Sequence, residues 1–480
     1  MTPYIFAALG GLILLFILIV LIRTLAFKPK DVPIISETEE PFDEDLAFDN
    51  LAKLIRCKTV SRYTREEEDE AEFEKLINML PDLYPNVYKT CEFKKFSDRG
   101  LLYKWEGKKH DAPSVFMAHY DVVPVNEADW QKPPFDGIIE GDVLWGRGTL
   151  DTKVTFAGAL FAANKLIGEG FVPQNDVYLA FSGCEEVNGN GALNIVNYFE
   201  EMGIQPSLVL DEGGAVVENA FPGLKSACAV IGIAEKGMID VEYRVKSNGG
   251  HASAPKPHTP VGVLSRACCK IEANPFKSHI TKPVAEMFDT LGRHSSFLYK
   301  MIFANMWCFG WVIDLLGKLQ GGDINALMRT TVAFTQMSGS SASNVIPPEA
   351  TMVSNSRLNP KDTMESALEY LRKTVDDPNV EMKIIRGYNP SRISTTDCEG
   401  YKKVVNAVAS TWRGAIPTPY LMMQCSDSRH WGKISDKVYR FSAMDLTKEE
   451  RASIHGNNEK IRKACCSKAC EFFIRMMKSC

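Results

Sequence analysis

The chain has no surplus of positive charge: 55 Lys and Arg stand against 60 Asp and Glu in 480 residues. That balance provides no basic surface of the kind nucleic acid demands, so nucleic-acid binding is excluded as a principal role. There is no N-x-S/T acceptor with x other than proline, and nothing marks the chain as a glycosylated secretory product. Internal repeats and low-complexity tracts are absent. The 13 cysteines are odd in number, and two pairs are adjacent, Cys268 with Cys269 and Cys465 with Cys466. No small disulfide framework follows from them, and reduced thiols are expected. The first 22 residues lack charge altogether.

Within that uncharged start, Tyr4 to Ile22 is an apolar run of nineteen residues, long enough to cross a hydrocarbon core of roughly 30 Å. The basic residues Arg23, Lys28 and Lys30 follow the run instead of preceding it, which favours an uncleaved anchor over a signal peptide. Positive-inside bias then puts the large carboxy-terminal part in the cytoplasm, as a single-pass membrane protein. Residues 23–44, with "DVPIISETEEPFDED", read as an acidic, solvated linker.

At 480 residues two domains are the natural expectation. From residue 45, strand-like runs alternate with helical ones: "SVFMAHY", "FAGALFAANKLIGEG", "DVYLAFS", "GALNIVNYFEEMG", "SLVLDEGG". Such alternation predicts an α/β fold, a mainly parallel sheet with helices on both faces. Near residue 234 the pattern changes to "KGMIDVEYRVKS" and later "EATMVSNSRLN", "TMESALEYLRKTV" and "VEMKIIRG", a smaller α+β unit. We therefore expect a catalytic domain in two parts, 45–233 and 388–480, interrupted by a lid or dimerisation domain at 234–387.

The strands of the first part end in histidine and carboxylates. "MAHYD" carries His119 and Asp121, "WGRGTLDTK" Asp151, "FSGCEE" Glu185 and Glu186, and "VLDEGG" Asp211. One such end is an ordinary cap or turn; four together point to a site, because ligands of open parallel sheets gather at the carboxyl ends of strands. Imidazole and carboxylate without cysteine suit zinc or a similar divalent ion in a hydrolytic site. One shared carboxylate would give a two-metal centre. His455 of "ASIHGNNEK" is a candidate for the last ligand.

Over residues 45–480 the ordered motifs "HYDVVP", "WGRGTLDTK", "FSGCEEVNGNGA", "LDEGG", "GGHASAP", "NVIPPEATMVSNSR" and "IHGNNE" resemble the zinc peptidases that include aminoacylase, carboxypeptidase S, glutamate carboxypeptidase and succinyl-diaminopimelate desuccinylase, nearest the carboxypeptidase S branch. Thr152 departs from that branch, which usually has aspartate there. The resemblance implies two zinc ions, or other divalent ions such as cobalt or manganese. His119 and Asp211 would hold one, Glu186 and His455 the other, and Asp151 would bridge them. Asp121 would orient His119, Glu185 would be the general base, and the peptide bond after Asp151 would be cis. In the smaller unit His251, often supplied by a partner subunit in a homodimer, and Asn344 would contact substrate, and Arg357 would grip a free carboxylate. Asp427, Arg429 and His430 of "SDSRHW" receive no role.

The insert at 285–325 contains "FLYKMIFANMWCFGWVIDLLG", whose uncharged centre is too short to span a bilayer. It reads as a buried helical cover on the lid. The alternatives are an apolar wall for an acyl group, lined by Trp307 and Trp311, or a surface that dips into the membrane. The activity expected first is that of a carboxypeptidase on short peptides, and second that of an N-acyl-amino-acid amidohydrolase. A catalytically silent, membrane-tethered binding protein is the rival from another class.

Overall fold

A computed structural model describes every residue except Met1, Asp31, Val32, Asn219, Ala220 and Pro222, and only the backbone of Thr2 and Pro3. Eight strands form the main sheet. From edge to edge they are Glu92–Phe96, Gly100–Trp105, Asn175–Ser182, Lys109–His119, Leu208–Val217, Val438–Leu446, Cys228–Glu235 and Ile416–Met422. The sheet is mixed: the centre is parallel, as the alternation suggests, and antiparallel pairings join the strands toward both edges. The four central strands, from Asn175–Ser182 to Val438–Leu446, run parallel. The first two are joined by a tight turn with Asp98 and Arg99 in the left-handed region, and a hairpin connection can only be antiparallel.

Both faces of the sheet are covered. On one lie Glu44–Ile55, Lys153–Gly168 and the C-terminal helix Lys463–Lys478, packing Phe156, Leu160, Phe472 and Phe473 onto Phe116, Leu179 and Leu210. On the other, Ile195, Val196 and Phe199 of Gly191–Glu201 meet Trp431, Val115 and Met117. The period-two alternation of the strands divides their side chains between these two cores. The first helix of the body starts where Asp43 caps it by accepting from Leu46 N.

Between Glu235 and Tyr388 the chain builds a second unit, a four-stranded antiparallel sheet in the order Thr331–Ser338, Glu349–Leu358, Gly237–Lys246, Glu381–Tyr388. Helices Pro260–Ala273 and Met364–Val375 cover it around a separate core that includes Val241, Tyr243, Leu264 and Leu371.

Two expectations are corrected here. The insert does not cover the lid. Helix Lys282–His294 packs on the outer strand Ile416–Met422, and Val284, Phe288, Leu291, Ile313 and Leu327 join the core of the larger unit. Val284, Met287, Phe288 and Leu291 fall on one helical stripe, and the sheet's edge strand gives that stripe its partner. Nor is the linker a free spacer. Ile34 N donates to Asn406 Oδ1 and Ser36 N to Ser410 Oγ, both at 2.9 Å, and Thr38 O accepts from Arg475 at 2.9 Å. The extended backbone finds side-chain partners on helix Glu399–Thr411 and on the C-terminal helix.

The loop that enters helix Lys153–Gly168 is fastened by Glu459, which is fully buried. Its carboxylate accepts from Arg147 Nη1 at 2.6 Å, Leu150 N at 2.7 Å and Gly148 N at 3.1 Å. Removing one member of a buried ion pair strands the other charge, so Arg147→Met should lose roughly 3–5 kcal/mol of stability. Adding Glu459→Gln should cost less than the sum of the two single changes. Urea unfolding of the detergent-solubilised chain measures both, and a loss below about 1 kcal/mol for Arg147→Met would show that the pair contributes little.

Candidate metal centre

His119 ends a central strand. Its Nδ1 lies 3.0 Å from the carbonyl oxygen of Asp121. A carbonyl can only accept, so Nδ1 carries the proton and Nε2 turns its lone pair outward. Facing Nε2 are Asp151 Oδ1 at 3.1 Å and Glu212 Oε1 at 3.5 Å. The other carboxylate oxygen of Asp151 lies 3.0 Å from His455 Nε2, and that nitrogen is 3.2 Å from Glu186 Oε2. Asp151 therefore stands between two donor groups, His119 with Glu212 and His455 with Glu186. The Asp151–Thr152 peptide bond is cis.

Asp211, expected in the first group, is not there. The parallel ladder with Val438–Leu446 pairs Asp211 with Arg440 and resumes at Gly214 with Phe441. Glu212 and Gly213 are thus extruded from the register, which aims Glu212 at His119. Asp211 keeps its place in the ladder and accepts from Ser428 N at 2.9 Å. Two glycines make this geometry possible. Gly213 has φ +141, and a Cβ on Gly214 would sit 1.7 Å from Val230 O. The motif resemblance selects Asp211 and passes over Glu212, although the Gly-Gly pair that follows signals a bulge.

Asp121 is buried and receives three donors: Ser61 Oγ, Glu185 N at 3.1 Å and Glu186 N at 3.2 Å. The carboxylate thus pins the turn that carries the Glu185–Glu186 pair, while the backbone carbonyl of the same residue orients His119, whose Nδ1 is 3.4 Å from Asp121 Oδ1. The two side chains of that turn diverge. Glu186 joins His455 and Asp151, while Glu185 lies within ligand distance of His119 and Glu212.

The electrostatics are those of a site short of positive charge. Burial, then the charge on Asp151, pushes both Glu186 and Glu212 up to about 7. Burial raises Glu185 further, with Asp427 and its carboxylate neighbours adding to the rise. Hydrogen bonds to Asp151 and Glu186 lift His455 to about 10. Burial opposes ionisation of Asp151, yet the two imidazoles hold its carboxyl well below the usual range. Glu186 Oε1 is buried without a hydrogen-bond partner among the described residues. Four carboxylates and two imidazoles with an orphaned oxygen suit divalent cations of the zinc class, which neutralise the cluster and take up that oxygen.

The residues expected to contact substrate lie elsewhere. His251 and Asn344 are exposed at a short two-stranded antiparallel ladder, Gly250–His251 with Val345–Ile346, where Ala252 N donates to Asn344 O at 3.0 Å, and neither lines the cavity at the metal centre. Arg357 reaches Cys425 Sγ at 3.9 Å, and Cys425 does line that cavity. Of the "SDSRHW" residues, Asp427 is buried beside Arg429, 3.8 Å away. His430 is held down to about 4 by burial and by Arg429, and it stands outside the donor cluster.

The cavity measures about 1050 Å³. Its wall joins Asp151, Glu185, Glu186, Glu212 and His455 to a packed apolar group that includes Phe221, Phe288 and Phe303, with Leu291 and Leu327.

Residues 115–479 match the family model described as peptidase family M20/M25/M40. The chain is 32% identical over 437 residues to carboxypeptidase S-like protein 2 of Dictyostelium discoideum, covering 89% of this chain and 84% of that one. It is 30% identical over 485 residues to the N-fatty-acyl-amino acid synthase/hydrolase PM20D1 of Xenopus tropicalis, covering 98% and 94%. Among solved structures, the fold is similar to that of an M20 family metallo-carboxypeptidase from Sulfolobus solfataricus, with TM-score 0.65 and 17% identity over 91% of this chain and 99% of that one.

Elemental analysis tests the arrangement directly. The purified chain should carry close to two divalent ions, and Asp151→Ala should lose both. Glu212→Ala should lose one, whereas Asp211→Asn should keep both. Full metal in Glu212→Ala, with a loss in Asp211→Asn, would restore Asp211 as the ligand beside His119.

Proposed function

This chain belongs to peptidase family M20/M25/M40 and is a metal-dependent hydrolase; we propose that it cleaves the amide of N-acyl amino acids that carry a long apolar acyl group. The observation that carries this reading is the cavity, whose lining joins the carboxylate cluster to a large set of apolar side chains, Phe221, Phe288, Leu291, Phe303 and Leu327 among them, with Tyr299, Asp323 and Arg451 as polar members of the wall. The similarity to an N-fatty-acyl-amino acid synthase/hydrolase supports it. Carboxypeptidase action on short peptides is the second reading, favoured by the similarity to a carboxypeptidase S-like protein. Both place a scissile amide next to a free carboxylate.

His119 and Glu212 would hold one ion and His455 and Glu186 the other, with Asp151 shared. Two zinc ions there would supply Lewis acidity at the amide carbonyl and to the attacking water. Glu185 takes the proton from that water on its carboxylate and returns it to the nitrogen of the departing amine. Its raised proton affinity, set by burial, suits a group that must hold the proton between these two transfers. Asp121 keeps Nδ1 of His119 protonated and holds the turn of Glu185 in place. Arg357, at the junction of the two units beside Cys425, is placed to pair with the free carboxylate of the substrate.

The helix Thr2–Ala26 would anchor the chain in a membrane. Arg23, Lys28 and Lys30 on its carboxyl side argue for a cytoplasmic body, as does the free state of all thirteen cysteines.

A panel of N-acyl amino acids of increasing chain length, run beside dipeptides, decides between the two readings. Efficiency should rise with acyl length. Glu185→Gln should keep its metal and lose about 10²–10⁴-fold in turnover. Amidating the substrate carboxylate should weaken the wild type, and Arg357→Ala should weaken action on the free acid only. Preference for dipeptides over every acyl length would transfer the proposal to the carboxypeptidase reading. As to membrane side, protease added to intact cells should leave the body uncut, and digestion without lysis would reverse the orientation.

A further inference from the structure

The insert forms an elbow. Helices Phe297–Ala304 and Met306–Gln320 meet at Asn305 with a bend of 111°. At this bend the elbow is fastened to the N-terminal helix. Asn305 Nδ2 donates to Val20 O and Thr24 Oγ1, each at 3.2 Å, and Arg23 donates to Ala304 O at 3.2 Å. Farther along the apolar run, Phe16 meets the ring of Trp307 edge-on at 5.8 Å. From Arg23 to Phe16 is seven residues, about 10 Å of helix. The elbow thus reaches alongside a stretch of helix that has no charge.

The second elbow helix is apolar on two sides. Trp307, Trp311, Leu315 and Leu319, spaced by four, form an outer ridge with exposures of 59%, 67%, 45% and 74%. They do not line the cavity, contrary to the expected acyl wall of Trp307 and Trp311. Val312 and Leu316, on the neighbouring ridge, do line it, together with Tyr299, Ile302 and Phe303. Leu316 is also 41% exposed, so the apolar end of the cavity reaches the surface beside the outer ridge. Asp314 is engaged by Lys318 at 3.0 Å and by Arg329.

An apolar ridge beside an apolar helix of 23 residues, Tyr4–Ala26, whose one charged residue is Arg23 near its carboxyl end, has one fitting partner, the hydrocarbon of a bilayer. Tryptophans on such a ridge sit well at the boundary of that layer. We propose that the elbow Phe297–Gln320 lies in the near leaflet of the membrane and that the cavity behind it takes the acyl chain of its substrate directly from the bilayer. This rests on the acyl-amino-acid reading and adds to it a lipid surface and a route. Each methylene of an acyl chain leaves one apolar environment for another on this path, so the chain avoids the passage through water that would otherwise limit long-chain substrates.

The test uses the full chain in phosphatidylcholine vesicles with brominated acyl chains. Brominated lipid should quench part of the tryptophan fluorescence, and that part should vanish in Trp307→Phe/Trp311→Phe. In a second arm, Trp311→Glu/Leu315→Glu should lower hydrolysis of a vesicle-borne N-palmitoyl amino acid by about tenfold or more, while hydrolysis of the N-acetyl amino acid stays within about twofold of wild type. If quenching is unchanged by the Phe substitutions, or if both substrates fall together with the melting temperature, the ridge is structural and the proposal is overturned. Wild type that hydrolyses the N-palmitoyl substrate in detergent micelles without quenching at Trp307 and Trp311 overturns the bilayer route alone. Wild type that hydrolyses it in neither vesicles nor micelles overturns the acyl-amino-acid reading, and the route with it.

Discussion

Asp151, Glu185, Glu186 and Glu212 are crowded around the buried His119 and the half-exposed His455, where water screens them only in part, and the rest of the larger unit is arranged about that repulsion. In a buried setting, like charges at such separations interact by several kcal/mol. The fold therefore has to hold the carboxylates by force of packing and hydrogen bonding until cations or protons balance them. Two further carboxylates do this from behind. Asp121 collects the backbone N–H groups of Glu185 and Glu186, and Glu459 collects those of Gly148 and Leu150 with the guanidinium of Arg147. Each has its own donors, and each uses them to aim the neighbours that face the site.

The larger unit supplies the rigidity this demands. Four parallel central strands bring His119, the Glu185–Glu186 turn and Glu212 to one edge, and the covering helices bury the strands on both faces. The smaller unit has its own core and approaches the site through Arg357, beside Cys425. A relative movement of the two units would therefore change the substrate side of the site and leave the donor cluster as it is.

The apolar end of the cavity is made by a segment that neither sheet needs. Helix Lys282–His294 closes the open edge of the main sheet, and the elbow after it extends toward the N-terminal helix. With the linker docked along Asn406, Ser410 and Arg475, that helix is held at the elbow and not on a free tether. The N-terminal helix thus touches the elbow at Asn305 and Trp307, and the elbow in turn lends Val312 and Leu316 to the cavity wall.

Much of this was legible in the residues. The α/β alternation, the break near residue 234 and the gathering of His119, Asp151, Glu185, Glu186 and His455 all follow from local pattern, because strand period, turn chemistry and ordered motifs are properties of short stretches. What was not legible depends on pairing between distant segments. The choice of Glu212 over Asp211 is made by a bulge against Val438–Leu446, more than two hundred residues away in the chain. Glu459 gains its role only because a loop three hundred residues earlier folds onto it. The insert reads as a cover for the lid until the free edge strand Ile416–Met422 claims its stripe, and Trp307 and Trp311 share a face that turns outward, away from the cavity. Sequence alone determined which residue types and which alternation were available to build a metal hydrolase on this fold. Only the tertiary structure decided which carboxylate faces His119 and which side of the insert meets the cavity, because register and packing are set by partners that no local window contains.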